Sequence, residues 1–316
     1  MQTDTMTRQL PENRFQTAWK SIRKNWLLYL FLLPSVAYVI IFNYIPLYGI
    51  QIAFKDFFAT AGVWGSPFAD PWYKHFLRFF NSYQFTTLLY NTVSLSLYQL
   101  FANFPLPIIL ALLLNYTTMP KLKKFAQTLT FAPHLISIVV MAGMLVVFCS
   151  SGGLFNQLLK LCGLPPMEFL ASAKWYQSVY VWSSVWQHTG YHAIIYIAAL
   201  TSVSDELHEA AIVDGANKFK RIWHIDLPAI LPTMVILLIM NVGNLMSIGF
   251  EKSLLLQNSL NLERSEIIAT YVYKVGIQGA QYSYATAIGL FNNIINFILL
   301  ISVNRIARNL SGNSLW

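Results

Sequence analysis

His188 and His192 stand four residues apart in an uncharged stretch. That spacing puts both on one face of a helix and suits a metal ion. No third ligand at metal-binding spacing accompanies them, so a polar cavity wall or a hydrogen bond to a neighbouring helix is the stronger reading. Amides recur in the same setting: Asn241 and Asn244 are three apart with Ser247 close by, and Asn292, Asn293 and Asn296 form a second group. A buried amide in an apolar medium must find a partner, so each group either fastens helices together or lines a watered route. Cys149 and Cys162 lack metal spacing; a disulfide is geometrically possible, but two such cysteines read as free apolar residues. The chain has no G-x-x-x-x-G-K-[ST] to cradle phosphates, no G-x-S-x-G and no H-E-x-x-H. If it moves a solute uphill, another polypeptide must supply the energy.

The polar stretch Ser204–Pro228, SDELHEAAIVDGANKFKRIWHIDLP, lies between two strongly apolar blocks. Ser204 is a helix N-cap, with Asp205 and Glu206 placing negative charge at the positive end of the helix. Leu207, Ala210 and Ala211 follow at three- and four-residue spacing, a small apolar stripe. Gly215 suits the left-handed turn that ends a helix. A second short helix is expected over Asn217–His224, with Lys218, Lys220 and Arg221, before Pro228 opens the next apolar block. The expected arrangement is helix, glycine, helix, presented outside the membrane for something else to hold.

The elements around these residues follow from charge. Of 316 residues, 56% are apolar and only 11% charged, against about 25% charged in a soluble domain. Six windows hold no Asp, Glu, Lys or Arg: Asn25–Phe54, Phe79–Pro120, Phe125–Leu159, Trp175–Ser204, Leu227–Phe250 and Val275–Asn304. Each has the roughly 20 residues that a spanning helix needs. The expected fold class is an all-α membrane protein of six transmembrane helices. With the N-terminus inside, the inner segments hold 13 Lys or Arg and the outer ones, of nearly equal length, hold 8. The positive-inside rule then places both termini in the cytoplasm. The second window is long enough for two spans, but splitting it would put Lys121, Lys123 and Lys124 outside. It therefore reads as an interfacial helix near Tyr73–Phe80 and one span over about Leu88–Tyr116. A carboxylate or ammonium group, the usual requirement of ion-driven carriers, lies inside none of these windows.

The expected organisation is a cytoplasmic tail over 1–24, a six-span domain over 25–304 with its loop at 204–228, and a cytoplasmic tail over 305–316. Residues 1–19 read as disordered or loosely interfacial. The apolar run after Trp26 is far longer than the core of a signal peptide, so it stays as the first span. Pro105 and Pro107 in the second span imply a static kink or an opened helix beside a path. The third span is expected from about Thr130 to Phe148, ending at Ser150–Gly153, with a short outer helix over Leu154–Leu161. Trp64, Trp72 and Tyr73 fit an outer aromatic belt.

Glu209-Ala210-Ala211, Asp214-Gly215-Ala216 and Ile225-Asp226-Leu227-Pro228 resemble the EAA loop, E-A-A-x-x-D-G-A…I-x-L-P, of permease subunits of bacterial binding-protein-dependent ABC importers. YIPLYGIQIAFKDF (44–57), FPLPIILALLLN (104–115), GFEKSLLLQN (249–258), YSYATAIGLFNNIINFILL (282–300) and SGNSLW (311–316) are similar to the LplB-like oligosaccharide and polysaccharide branch, related to the alginate and maltose systems. The resemblance implies a transport subunit that is not itself an enzyme. Its implied partners are a homologous second permease, two ATPase subunits and an extracytoplasmic sugar-binding protein. No cofactor is then expected on this chain, with ATP and Mg on the ATPases. It also implies coupling through Leu207, Glu209, Ala210, Ala211, Ile212, Asp214, Gly215, Ala216, Ile225, Leu227 and Pro228. Rings stack on sugar faces and amides bond hydroxyls, which makes Trp186, Gln187, Asn241, Asn244 and Asn293 the candidate substrate path.

Overall fold

The computed structural model describes residues 23–315. The expectations for residues 1–19, for Lys20 and for Trp316 lie outside the described residues. The chain divides into two compact units: Phe57–Ser66 with the described part of Met1–Ile52, and Ala53–Asp56 with everything from Pro67 onward.

In the first unit, α1 (Trp26–Val39) is apolar all round and continues through a wide turn, Ile40–Tyr44, into the tighter helix Ile45–Phe54. None of the residues of α1 is buried. The wide turn sits just before Pro46, where the missing proline N–H would otherwise break the ladder.

The described residues of the second unit form helices joined by turns and loops, with one isolated bridge between Lys55 and Phe68. Its helices are α2 (Lys74–Phe80), α3 (Phe85–Asn103), α4 (Pro105–Asn115), α5 (Pro120–Phe131), α6 (Ile138–Phe148), α7 (Leu154–Leu161), α8 (Ala173–Leu200), α9 (Asp205–Val213), α10 (Lys218–Arg221), α11 (Leu227–Gly243), α12 (Phe250–Leu256), α13 (Ile268–Tyr273) and α14 (Tyr282–Ser311), besides shorter turns. Among the described residues, four helical runs are long and apolar enough to cross a membrane: Trp26–Phe54, Phe85–Asn115, Lys218–Gly243 and Tyr282–Ser311. A bent pair, Pro120–Leu135 with Ile138–Phe148, brings the number to five if it counts as one span.

Helix α8 is long enough to span, about 42 Å at 1.5 Å per residue, but its face is polar: Ser183, Ser184, Gln187 and His188 interrupt it. The reason is position. It runs through the core, burying Tyr176, Tyr180, Val181 and Val185 in one cluster and Ala193, Tyr196 and Leu200 in another. Hydropathy measures exposure to lipid, and a helix wrapped in protein needs less of it.

Two expectations are corrected. The third span is not one helix from Thr130 to Phe148, because α5 and α6 meet at 97°. Pro133 starts a tight turn, Ala132–Leu135, and Ser137 begins a new helix by accepting the Val140 N–H at 3.3 Å. Nor is the second cytoplasmic helix separate: Lys218–Gly243 runs as one helix of 26 residues. The Ile222–Asp226 stretch widens to five-residue spacing, with the Leu227 N–H reaching the Ile222 carbonyl. That wider turn immediately before Pro228 absorbs the proline without ending the helix. By contrast Phe85–Asn115 carries Pro105 and Pro107 as one apolar run, and α7 covers the predicted Leu154–Leu161.

Between α11 and α14 the chain is knitted to the rest by buried amides. Asn261 Nδ2 donates to the Leu170 and Leu256 carbonyls, and Asn91 Nδ2 to those of Glu263 and Glu266. Asn292 donates to the Met246 carbonyl, while Asn296 accepts the Met246 N–H and donates to Ser247 Oγ.

Candidate functional site

The Ser204–Pro228 segment has the capping chemistry its residues dictate. Ser204 Oγ accepts the Glu206 N–H at 3.2 Å, and Asn217 Oδ1 accepts the Lys220 N–H at 2.9 Å. Gly215 takes φ +77°, its N–H bonds the Ile212 carbonyl, and the Ala216 N–H bonds the Ala211 carbonyl. This paired closure is the left-handed stop that glycine allows and that fixes the angle between α9 and the helix after it. Leu207 and Ile212 are exposed, Glu209, Ala210 and Asp214 are exposed, and Ala211, Ala216, Ile225 and Leu227 are half-buried. Pro228 is exposed at the first turn of α11. Glu209 and Asp214 form no ion pair among the described residues.

Three further apolar residues here were not singled out from the sequence. Val213 is 87% exposed, Phe219 82% and Trp223 70%. The signal was present in the sequence: large apolar side chains in a charged segment with no apolar partner nearby. With Leu207 and Ile212 they make an uncovered apolar surface on an otherwise charged unit, as expected of a docking face.

The substrate-path candidates separate into different places. Asn241 and Asn244 line a polar cavity of about 230 Å³ with Ser96, Gln99, Asn103, His188 and His192. The buried Ser96 Oγ, Gln99 Oε1 and Asn103 Oδ1 lack protein partners there, which makes the cavity a host for hydroxyl-bearing molecules or water. Trp186 instead lines an apolar cavity of about 650 Å³ with Trp175 and Trp182, against Met141, Met144 and the inner face of α7. Gln187 faces neither. It is buried, and its Nε2 donates to the Ile136 carbonyl at 2.8 Å, satisfying a backbone group left over by the break between α5 and α6. Asn293 is exposed on α14 and lines neither cavity, whereas its neighbours Asn292 and Asn296 are buried fasteners.

The histidine pair acquires a third member from a distant part of the chain. His134 Nδ1 lies 3.2 Å from His188 Nδ1, and its ring stacks on Tyr191 at 4.0 Å. The break at Pro133 is what brings His134 there. No group of three His, Cys, Asp or Glu among the described residues is arranged to hold a metal. Cys149 is buried and Cys162 exposed, both as free thiols.

Lys252 is the one buried ammonium near these cavities among the described residues. Its Nζ donates to Ser184 Oγ at 2.7 Å and to the Tyr180 carbonyl at 2.9 Å, and it lies over the Tyr180 ring. Burial without a carboxylate partner lowers its pKa to about 7.

Residues 103–312 match the family model described as binding-protein-dependent transport system inner membrane component. The chain is 39% identical over 306 residues to the polygalacturonan/rhamnogalacturonan transport system permease protein YteP of Bacillus subtilis (strain 168), covering 96% of this chain and 94% of that one. It is 40% identical over 295 residues to protein LplB of the same organism, covering 93% and 92%. Among solved structures, a bacterial alginate ABC transporter in complex with an alginate pentasaccharide-bound periplasmic protein holds a chain that superimposes with a TM-score of 0.86. The identity is 36%, over 94% of this chain and 99% of that one.

Proposed function

The chain belongs to the binding-protein-dependent transport system inner membrane components, and on that premise we propose how this multi-pass permease works and what it carries. It pairs with a second, homologous permease, two ATPase subunits and an extracytoplasmic sugar-binding protein. ATP and Mg are bound and used on the ATPases, and this chain holds no cofactor of its own. The spans are Trp26–Phe54, Phe85–Asn115, the broken pair Pro120–Phe148, α8, Lys218–Gly243 and α14, with both termini cytoplasmic in keeping with the lysines and arginines at the span ends. The substrate is an acidic oligosaccharide or polysaccharide, by analogy with the polygalacturonan and alginate systems named above.

The observation that carries this reading is the α9 unit itself. It is a capped helix closed by a left-handed glycine, with Leu207, Ile212, Val213, Phe219 and Trp223 uncovered. Leaving so much apolar surface in water is unfavourable at about 25 cal/mol per Å², and an ATPase cleft would relieve it. Displacement of α9 as the ATPases close is then transmitted into the spans.

Co-purification from native membrane, wild type beside Gly215→Pro, tests this. Proline cannot adopt a positive φ. The expected result is an ATPase and a second permease with wild type, and loss of the ATPase with a variant that still folds. A wild-type chain that purifies alone and conducts sugar in vesicles would overturn it in favour of a stand-alone carrier.

A further inference from the structure

We propose that Asp226 is a positioning residue for energy coupling: its buried carboxylate ties α9 to the ends of two membrane spans, so that movement of α9 reaches both. The proposal rests on the permease reading above.

Asp226 has no solvent exposure. Its Oδ2 accepts the Tyr116 hydroxyl at 2.6 Å, while its Oδ1 accepts no hydrogen bond among the described residues and lies 3.2 Å from His208 Nε2, an ion pair when that ring is protonated. These groups belong to three elements. Tyr116 caps the C-terminus of α4, its N–H bonded to the Leu112 carbonyl. His208 sits in the middle of α9, and Asp226 is in the widened turn that leads into α11. The Tyr116 and His208 rings meet edge to face at 6.4 Å, and the Arg221 guanidinium lies over the Tyr116 ring at 5.4 Å.

A buried carboxylate is costly unless donors compensate it, and removing one partner from such a cluster costs more than an exposed pair would. The cost here secures a link that packing does not provide. Among the described residues α9 packs extensively against no other helix, and His208 makes its one ion pair. Its apolar residues Leu207, Ile212 and Val213 are exposed. A helix attached only through its ends would swing when pushed. One fastened at His208 to a carboxylate shared with α4 and α11 moves them with it. Asp226 occupies the variable position of I-x-L-P, so the loop motif itself does not demand a carboxylate there.

The test uses the whole transporter complex, comparing backbone hydrogen exchange with and without vanadate-trapped nucleotide. In wild type, trapping is expected to change exchange in residues 205–216 and also in 113–119. With Asp226→Leu the change stays in 205–216 and is lost at 113–119, and nucleotide-driven uptake falls at least tenfold while the ATPase still co-purifies. Tyr116→Phe, which keeps the ring and removes one donor, loses the response at 113–119. Asp226→Asn, whose amide oxygen still accepts the Tyr116 hydroxyl, retains it. Wild-type responses at 113–119 in both the Leu and Phe variants would overturn the proposal. If Asp226→Leu does not assemble, the Tyr116→Phe result decides alone. A wild-type chain that brings down no ATPase would instead overturn the permease reading.

Discussion

Gly190 of α8 lies directly against the backbone carbonyl of Thr130 in α5, with no room between them for a β-carbon. The close approach lets α5 cross the central helix beside its own break, and it sets His134 against His188. Because the obstacle is backbone, it cannot rotate away. Gly190→Ala is therefore expected to destabilise by about 3 kcal/mol, the upper part of the usual range for overpacking. Gly143 in α6, with nothing near the position of its β-carbon, is the control. Thermal denaturation in detergent should show a clear fall in midpoint for Gly190→Ala and little for Gly143→Ala. Equal midpoints would refute the contact.

Gly215 presents the opposite case. Its surroundings are open, but its φ is +77°, so a side chain meets only backbone strain, roughly 1–2 kcal/mol. Asparagine tolerates that conformation better than alanine. The expected order of ATPase-coupled uptake is glycine above asparagine above alanine, falling further than this loss of detergent stability accounts for. If uptake falls only in step with stability, Gly215 has no role beyond folding.

Much of this was legible in the sequence because it depends on local chemistry. Ser204 and Gly215 announce a cap and a stop that bond within a few residues, and the charge-free windows locate the apolar helices. What was not legible depends on partners far along the chain. Asp226 stood out in the sequence only as the variable residue of I-x-L-P, because Tyr116, 110 residues away, supplies its donor. His188 and His192 lacked a third histidine until the bend at Pro133 brought His134 in. Gln187 and Asn241 look alike as uncharged amides, yet Gln187 is buried and donates across to the Ile136 carbonyl, whereas Asn241 bonds the Leu237 carbonyl of its own helix and lines a cavity. The polarity of α8 follows from its central place, which no window average contains.

Lys252 gives a pH dependence. Its folded value is about 7, against an ordinary lysine near ~10.4. Between those values the unfolded chain binds the extra proton, so stability rises with pH there and is flat with respect to this group below about pH 7. The wild-type denaturation midpoint is expected to climb from pH 7 to 9. Lys252→Met, which keeps the apolar stem and cannot titrate, should show a smaller climb. Parallel pH profiles would mean that the ammonium is solvated in the working protein.

The two cavities make different demands on a passing sugar, and paired variants separate them. Trp175, Trp182 and Trp186 present indole rings around the larger cavity, with Trp182 fixed by a 3.0 Å bond from Nε1 to the Tyr98 hydroxyl. Trp186 has no such restraint among the described residues and is half exposed, so its ring is available for stacking. Loss of an aromatic stacking contact worth about 0.5–1.5 kcal/mol corresponds to roughly a two- to tenfold slower passage. Asn244→Ala removes an amide from the polar cavity without touching those rings. If oligogalacturonate passes along the aromatic face, Trp186→Ala slows its uptake by that factor, Asn244→Ala leaves it near wild type, and both keep basal ATPase activity. The reverse pattern would assign the route to the amide-lined cavity. Asn244 donates to the Met240 carbonyl of its own helix and is exposed, whereas the buried Gln187 donates across to Ile136, so Gln187→Ala should lower stability in either case and Asn244→Ala should not.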